Sequence, residues 1–80
     1  MAYFAKVDSS NVVQQVIAVN DAECLDQYGN ENEAIGALFC HSLLGGTWLQ
    51  TSFNARIRGK FAGIGDIYDP TTDTFNSPPE

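Results

Sequence analysis

Residues 45–75 read GGTWLQTSFNARIRGKFAGIGDIYDPTTDTF, and how this stretch folds sets the size of any sheet the chain builds. It holds the only Trp, four of the eight other aromatic residues and three of the four basic residues. Gly45-Gly46 marks the end of a preceding helix, since glycine accepts the left-handed C-cap conformation. TWLQTSF (47–53) alternates as a strand, with Thr47, Leu49, Thr51 and Phe53 on a core face and Trp48, Gln50 and Ser52 on the other. Trp48 then lies under the helix or partly exposed, where a large aromatic anchors either the helix or a partner. ARIRGKFA (55–62) alternates too: Arg56, Arg58 and Lys60 form a basic ladder opposite Ala55, Ile57, Gly59 and Phe61. The reading is a further strand or an extended arm. Gly63 and Gly65 allow a bulge or sharp turn. DIYDPTTDTF (66–75) predicts a terminal hairpin turned at Asp69–Asp73, with Pro70 at the second position of a type I turn.

Upstream, YFAKV (3–7) reads as a strand and Asp8-Ser9-Ser10-Asn11 as a run of turn formers. In NVVQQVIAVN, Val12, Val13, Val16 and Ile17 fit either a helical stripe or a strand. Short length and β-branching favour the strand, so residues 3–19 predict a hairpin. Asn20–Asn30 reads as a polar loop with one helical turn near Asp21–Leu25. Residues 31–44 predict the one long helix. Asn30 is the candidate cap with Glu33 in a capping box, and Ile35, Leu38, Phe39 and Leu43 form the apolar stripe. Gly36 within it implies close backbone packing.

The expected fold class is α+β: a small, mostly antiparallel sheet of about four to six strands with one helix packed on it. The domain organisation is a single compact domain over 1–76 followed by a Pro-rich tail at 77–80.

Eighty residues make one domain that buries about 60% of its unfolded surface. Its core is small enough for oligomerisation to add useful stability. The net charge of −6 argues against nucleic acid, whose binding draws on phosphate neutralisation. Two cysteines, Cys24 and Cys40, are too few for a disulfide framework and read as partly buried thiols in a reducing compartment. No apolar run reaches the length of a membrane span, and MAYFAKVDSS lacks the pattern of a signal peptide. The chain is therefore expected to fold in the cytoplasm.

A nucleophile needs a base and an orienting partner. One histidine (His41, read as a surface or boundary group), two cysteines and scattered serines supply neither. The carboxylates Asp66, Asp69 and Asp73 fall around a turn, where Asp bonds local backbone. AGIGD (62–66) is not followed by the helix a nucleotide fingerprint requires. No catalytic, cofactor or metal-binding residue is assigned and no small-molecule substrate is expected. The candidate partner-binding residues are Trp48, Arg56, Arg58 and Lys60. The ladder reads as a contact to an acidic protein surface or packaged nucleic acid, or as ion pairs within the fold or between identical subunits.

MAYFAKVD (1–8), TWLQTSFN (47–54), RGKFAGIGDIYD (58–69) and DTFNSPP (73–79) carry a further signal. With the acidic loop and helix between them, nearly the whole chain resembles a family of small proteins of tailed bacteriophages, especially cyanophages and other marine phages. The resemblance implies no catalytic residues. It implies a non-enzymatic structural or accessory protein of the virion, on tail, baseplate, fibre or capsid, assembled in the host cytoplasm. Its partners would be phage structural proteins or further copies of itself. The alternative is a small intracellular binding module that modulates a host protein.

Overall fold

The computed structural model describes residues 1–79. The fold is α+β: one helix lies on a mostly antiparallel arrangement of five strands in two sheets. β1 (Ala2–Val7), β2 (Val13–Val19) and β3 (Thr47–Thr51) form the larger sheet in the order β2-β1-β3, antiparallel throughout. β4 (Ile67–Asp69) and β5 (Thr74–Asn76) form a short hairpin. The helix α1 spans Glu33–Leu44.

The β1–β2 hairpin forms where the sequence places it. Asn11 N–H donates to Asp8 O at 3.0 Å, and Asn11 adopts φ 63°, a left-handed conformation that Asn tolerates. Asp8 Oδ1 accepts from the backbone of Ser10 and Val12, which fixes the turn before either strand is paired. Further along, the register shifts. Lys6 faces Gln15 but Val7 faces Val13, so Gln14 is an extra, bulged residue. The bulge puts Val13 and Val16 on the same face.

Both faces of the larger sheet are covered. On one, Ala2, Phe4, Val19 and Trp48 pack with Cys24 and with Cys40 of α1. On the other, Ala5, Val7 and Val13 pack with Ala62 and Phe75. β1, the central strand, serves both cores.

Asp21–Cys24 forms one 3₁₀ turn capped by Asn20, within the expected polar loop. Helix α1 starts later than expected. Its cap is Asn32, whose Oδ1 accepts from Ala34 and Ile35 backbone N–H at 2.9 and 3.4 Å. Asn30 is unavailable because its backbone closes a turn with Asp26, and Glu31 bridges to Leu25. Glu33 thus becomes the first helical residue rather than a capping-box member. The packed stripe also differs. Gly36 and Cys40 are the buried positions, flanked by Ala37 and Phe39, while Leu38 and Leu43 are each 63% exposed. Small side chains let the helix backbone approach the sheet, and that approach outweighs burial of the larger leucines.

Gly36 sets the distance. A Cβ there would overlap the Phe4 ring and lie 2.9 Å from Cys24 Sγ. Phe4 is fully buried and has nowhere to move. Gly36→Ala should therefore lose stability despite its gain of about 1 kcal/mol in helix propensity, for a net cost of about 1–2 kcal/mol. Thermal unfolding followed by circular dichroism checks this; an unchanged or higher midpoint contradicts the close approach.

Residues 52–66 form no strand. The strand or extended arm expected over 55–62 is replaced by irregular chain in which Ala55, Arg58 and Gly59 take φ 62°, 58° and 75°. Left-handed residues cannot continue a pleated strand. The segment is held by side chains instead. Thr51, itself 1% exposed, donates its hydroxyl to Lys60 O and accepts from Ala62 N–H, both at 3.0 Å. β3 accordingly ends at Thr51, and Phe53, expected on the core face, is 75% exposed. The β4–β5 hairpin forms at its expected place and joins the start of β2. Tyr68 N–H donates to Asn11 O, Val13 N–H to Asp66 O and Gly65 N–H to Val13 O, each at 2.8 Å. Ser77–Pro79 are exposed and carry no regular secondary structure, and Glu80, the last residue of the expected tail, lies outside the described residues.

Candidate functional site

The four residues assigned to partner contact do not share a surface. Trp48 is 4% exposed, sits in the core between sheet and helix, and donates Nε1–H to Gly45 O at 2.8 Å. Of the two alternatives its face allowed, the position under the helix holds. Arg58 is a clasp within the fold. Its guanidinium donates to Gln50 O at 2.8 Å and to Asp73 Oδ1 at 2.9 Å, pairs with Glu33 at 2.9 Å, and lies 5.7 Å from the centre of the Tyr68 ring. Glu33 Oε2 in turn accepts from Gln50 N–H at 2.9 Å. One arginine thereby joins the start of α1, the outer edge of β3 and the β4–β5 turn.

Burial opposes the Arg58 charge. Hydrogen bonding and attraction from Glu33, with Tyr68 and Asp73, outweigh it and raise the guanidinium pKa. The hydrogen bond from Tyr68, aided by the Arg58 charge, holds the Asp73 carboxyl below its ordinary range. The same hydrogen bond, with some burial, pushes the Tyr68 phenol up.

Lys60 pairs with Asp66 at 3.0 Å and donates to Ser77 Oγ at 2.6 Å. Asp66 is 5% exposed and also accepts from Gly63 N–H at 2.8 Å, so this ion pair fixes the 63–66 turn. The ladder is therefore dispersed: two of its members bind within the fold, as one of the two sequence readings had it. Among the described residues, only Arg56 of the three forms no ion pair and stays exposed.

A different surface feature involves Phe53, which the sequence placed on the core face. Tyr3, Phe53 and Phe61 form a ring cluster, with centroids 5.4 Å apart for Tyr3–Phe61, 5.9 Å for Phe53–Phe61 and 6.5 Å for Tyr3–Phe53. The Tyr3–Phe61 pair is edge-to-face, a favourable geometry for aromatic quadrupoles. Phe53 is mostly solvated and Phe61 is 38% exposed. Beside the cluster runs an open groove of about 410 Å³, lined among others by Tyr3, Phe53, Ile57, Arg56, Asp21 and Glu31. Alternation could not reveal this cluster. Phe61 reaches Tyr3 only because the 52–62 segment folds back to the Thr51 hydroxyl.

Burial pushes both thiols up in pKa, Cys24 further through Asp21 and Glu31, and Cys40 through Cys24. Such thiols are held in the protonated, unreactive form. Both are free cysteines. His41 is exposed and its Nδ1–H donates to Gly46 O at 2.7 Å, closing the helix end. Among the described residues, no group of three His, Cys, Asp or Glu side chains is placed to hold a metal ion. Among the described residues, no helix is long and apolar enough to cross a membrane. No protein-family model, no curated protein and no solved structure matches the chain.

Proposed function

We propose that the protein is a non-enzymatic structural or accessory component of a phage virion, acting by protein–protein contact. The observation that carries the contact is the exposed Tyr3–Phe53–Phe61 cluster beside Arg56. Aromatic residues, phenylalanine among them, and arginine are enriched at protein interfaces. An exposed phenylalanine packed on two other rings presents apolar area at little conformational cost, because its neighbours already restrain it. The virion as setting rests on the sequence resemblance to small proteins of tailed phages. Arg56 is the cationic member of the site; Trp48, Arg58 and Lys60 support the fold that presents it.

Mass spectrometry of purified particles tests the setting. Recovery of the chain in stoichiometric amounts supports a virion component, and its absence from particles sinks that reading in favour of an intracellular binding module. Phe53→Ser tests the surface. Phe53 is exposed, so the variant should keep its folding stability within about 0.5 kcal/mol while losing incorporation into particles. Normal incorporation of a folded Phe53→Ser, Phe61→Ser variant would exclude the aromatic cluster as the contact.

A further inference from the structure

The two outer edges of the larger sheet are treated differently. In β3, Gln50 faces outward, and both its backbone groups are taken: N–H by Glu33 and C=O by Arg58. A side-chain ion pair thus sits where another strand would add. Gln50 stands opposite Phe4, so their amides point away from each other. Phe4 therefore bonds toward β2, where it faces Ile17. By alternation, Val16 and Ala18 of β2 direct their N–H and C=O groups outward. The earlier part of that edge, Asn11 and Val13, is occupied by Gly65, Asp66 and Tyr68. Beyond the bulge, no backbone or side-chain group among the described residues bonds to the outward amides of Val16 and Ala18.

Apart from the Gln14 bulge that precedes it, this short open segment carries no side-chain protection. β2 reads VQQVIAV, with no proline, no lysine and no charge. In a chain of net charge −6, the acid-bearing surfaces repel a second copy. This strand does not. We infer that Val16–Ala18 is a homodimer edge, where β2 pairs antiparallel with β2 of a second copy about a two-fold axis at Ile17. That register is self-consistent. Val16 of one copy and Ala18 of the other exchange N–H···O bonds, and the symmetric pair does the same, giving four bonds and no vacant outward amide in the segment. Ile17 meets its own copy as a non-bonded pair, the closer of the two pair types. The interface joins two three-stranded sheets into one of six. It is independent of the aromatic cluster, so either assignment can fail alone.

The interface is small, so dissociation is expected in the range of about 10⁻⁵–10⁻³ M. The test is sedimentation of the full chain across that range, with backbone amide hydrogen exchange measured in parallel. The Val16 and Ala18 amides should become protected as concentration rises, while inward-facing amides such as Ile17 are protected throughout. Ala18→Pro removes one outward donor per copy and no bond within the chain, because Ala18 is exposed and its N–H points out. It should weaken the dimer about tenfold or more. Ala18→Lys, which keeps the N–H and adds like charge across the axis, should do the same should the proline variant fold poorly. A chain monomeric at millimolar concentration, a dimer unaffected by Ala18→Lys, or Val16 and Ala18 amides that exchange freely at every concentration would each overturn the assignment.

Discussion

Trp48→Ala is expected to be the most damaging single truncation in the chain, lowering stability by about 3–5 kcal/mol. Trp48 fills the space between the sheet and Cys40 of α1, in the same cluster as Phe4, Val19 and Cys24. Removing the indole leaves a cavity that the stiff sheet and a helix seated at Gly36 cannot collapse into. It also deprives Gly45 O of its donor. A domain of this size has about 4–12 kcal/mol in total, so the variant sits near its unfolding threshold. In thermal denaturation the midpoint should fall by about 12 °C or more, taking about 4–8 °C per kcal/mol. A fall below about 3 °C would mean that Trp48 contributes little to the core. Trp48→Phe separates the two losses: it keeps most of the buried area and should cost mainly the hydrogen bond, about 1 kcal/mol.

Arg58→Ala comes next, at about 2 kcal/mol. Fully buried ion pairs cost about 3–5 kcal/mol to break and exposed ones about 0–1. Arg58 is 13% exposed but its partners Glu33 and Asp73 are 36% and 64% exposed, which places this clasp between the two. Arg58→Lys should lose nearly as much, since an ammonium cannot reach Gln50 O, Glu33 and Asp73 together as the guanidinium fork does. Both variants keep a non-glycine residue at φ 58°, so the lysine comparison isolates the head group. Arg56→Ala is the control and should stay within about 0.5 kcal/mol. Urea denaturation midpoints order the three; equal effects for Arg56 and Arg58 would contradict the clasp. The pH dependence has a definite sign. Asp73 is held below its ordinary range in the folded protein, so its contribution is complete above the unfolded carboxyl value of about 3.9 and fades as pH falls through the lower folded value. Tyr68→Phe removes the largest cause of that shift and should flatten the acid limb of a stability profile.

The hairpins and the helix were legible because each is encoded locally. Asp8–Asn11 carries its own turn bonds, and Pro70 and Asp69 carry those of the second hairpin, where Thr71 N–H donates to Asp69 Oδ1. The ambiguity at Val12, Val13, Val16 and Ile17 has a physical source. The bulge at Gln14 inserts one residue, which turns a two-residue strand period into a three-residue step and imitates a helical stripe. The stretch 55–62 misled for the opposite reason. Its alternation is clean, yet Ala55, Arg58 and Gly59 are left-handed; Ala55 N–H closes a turn on Ser52 O, and Arg58 and Lys60 are held by Glu33, Gln50 and Thr51 outside the stretch. Polar partners distant in sequence leave no periodic trace. The aromatic cluster was hidden with it, since its geometry depends on the same folded-back segment.

The central position of β1 has a consequence for the order of synthesis. β1 and β2 are neighbours in sequence and can pair without the rest of the fold, but the other edge of β1 has no partner until Thr47–Thr51 is made. Until then a nascent hairpin displays Phe4 on one side and Ala5 and Val7 on the other without a covering layer. Phe4 gains its cover only when α1 and Trp48 arrive, and Val7 only when Ala62 and Phe75 arrive near the end of the chain. A chain truncated before residue 47 should therefore expose both hairpin faces and aggregate, whereas one that includes Phe75 can cover them.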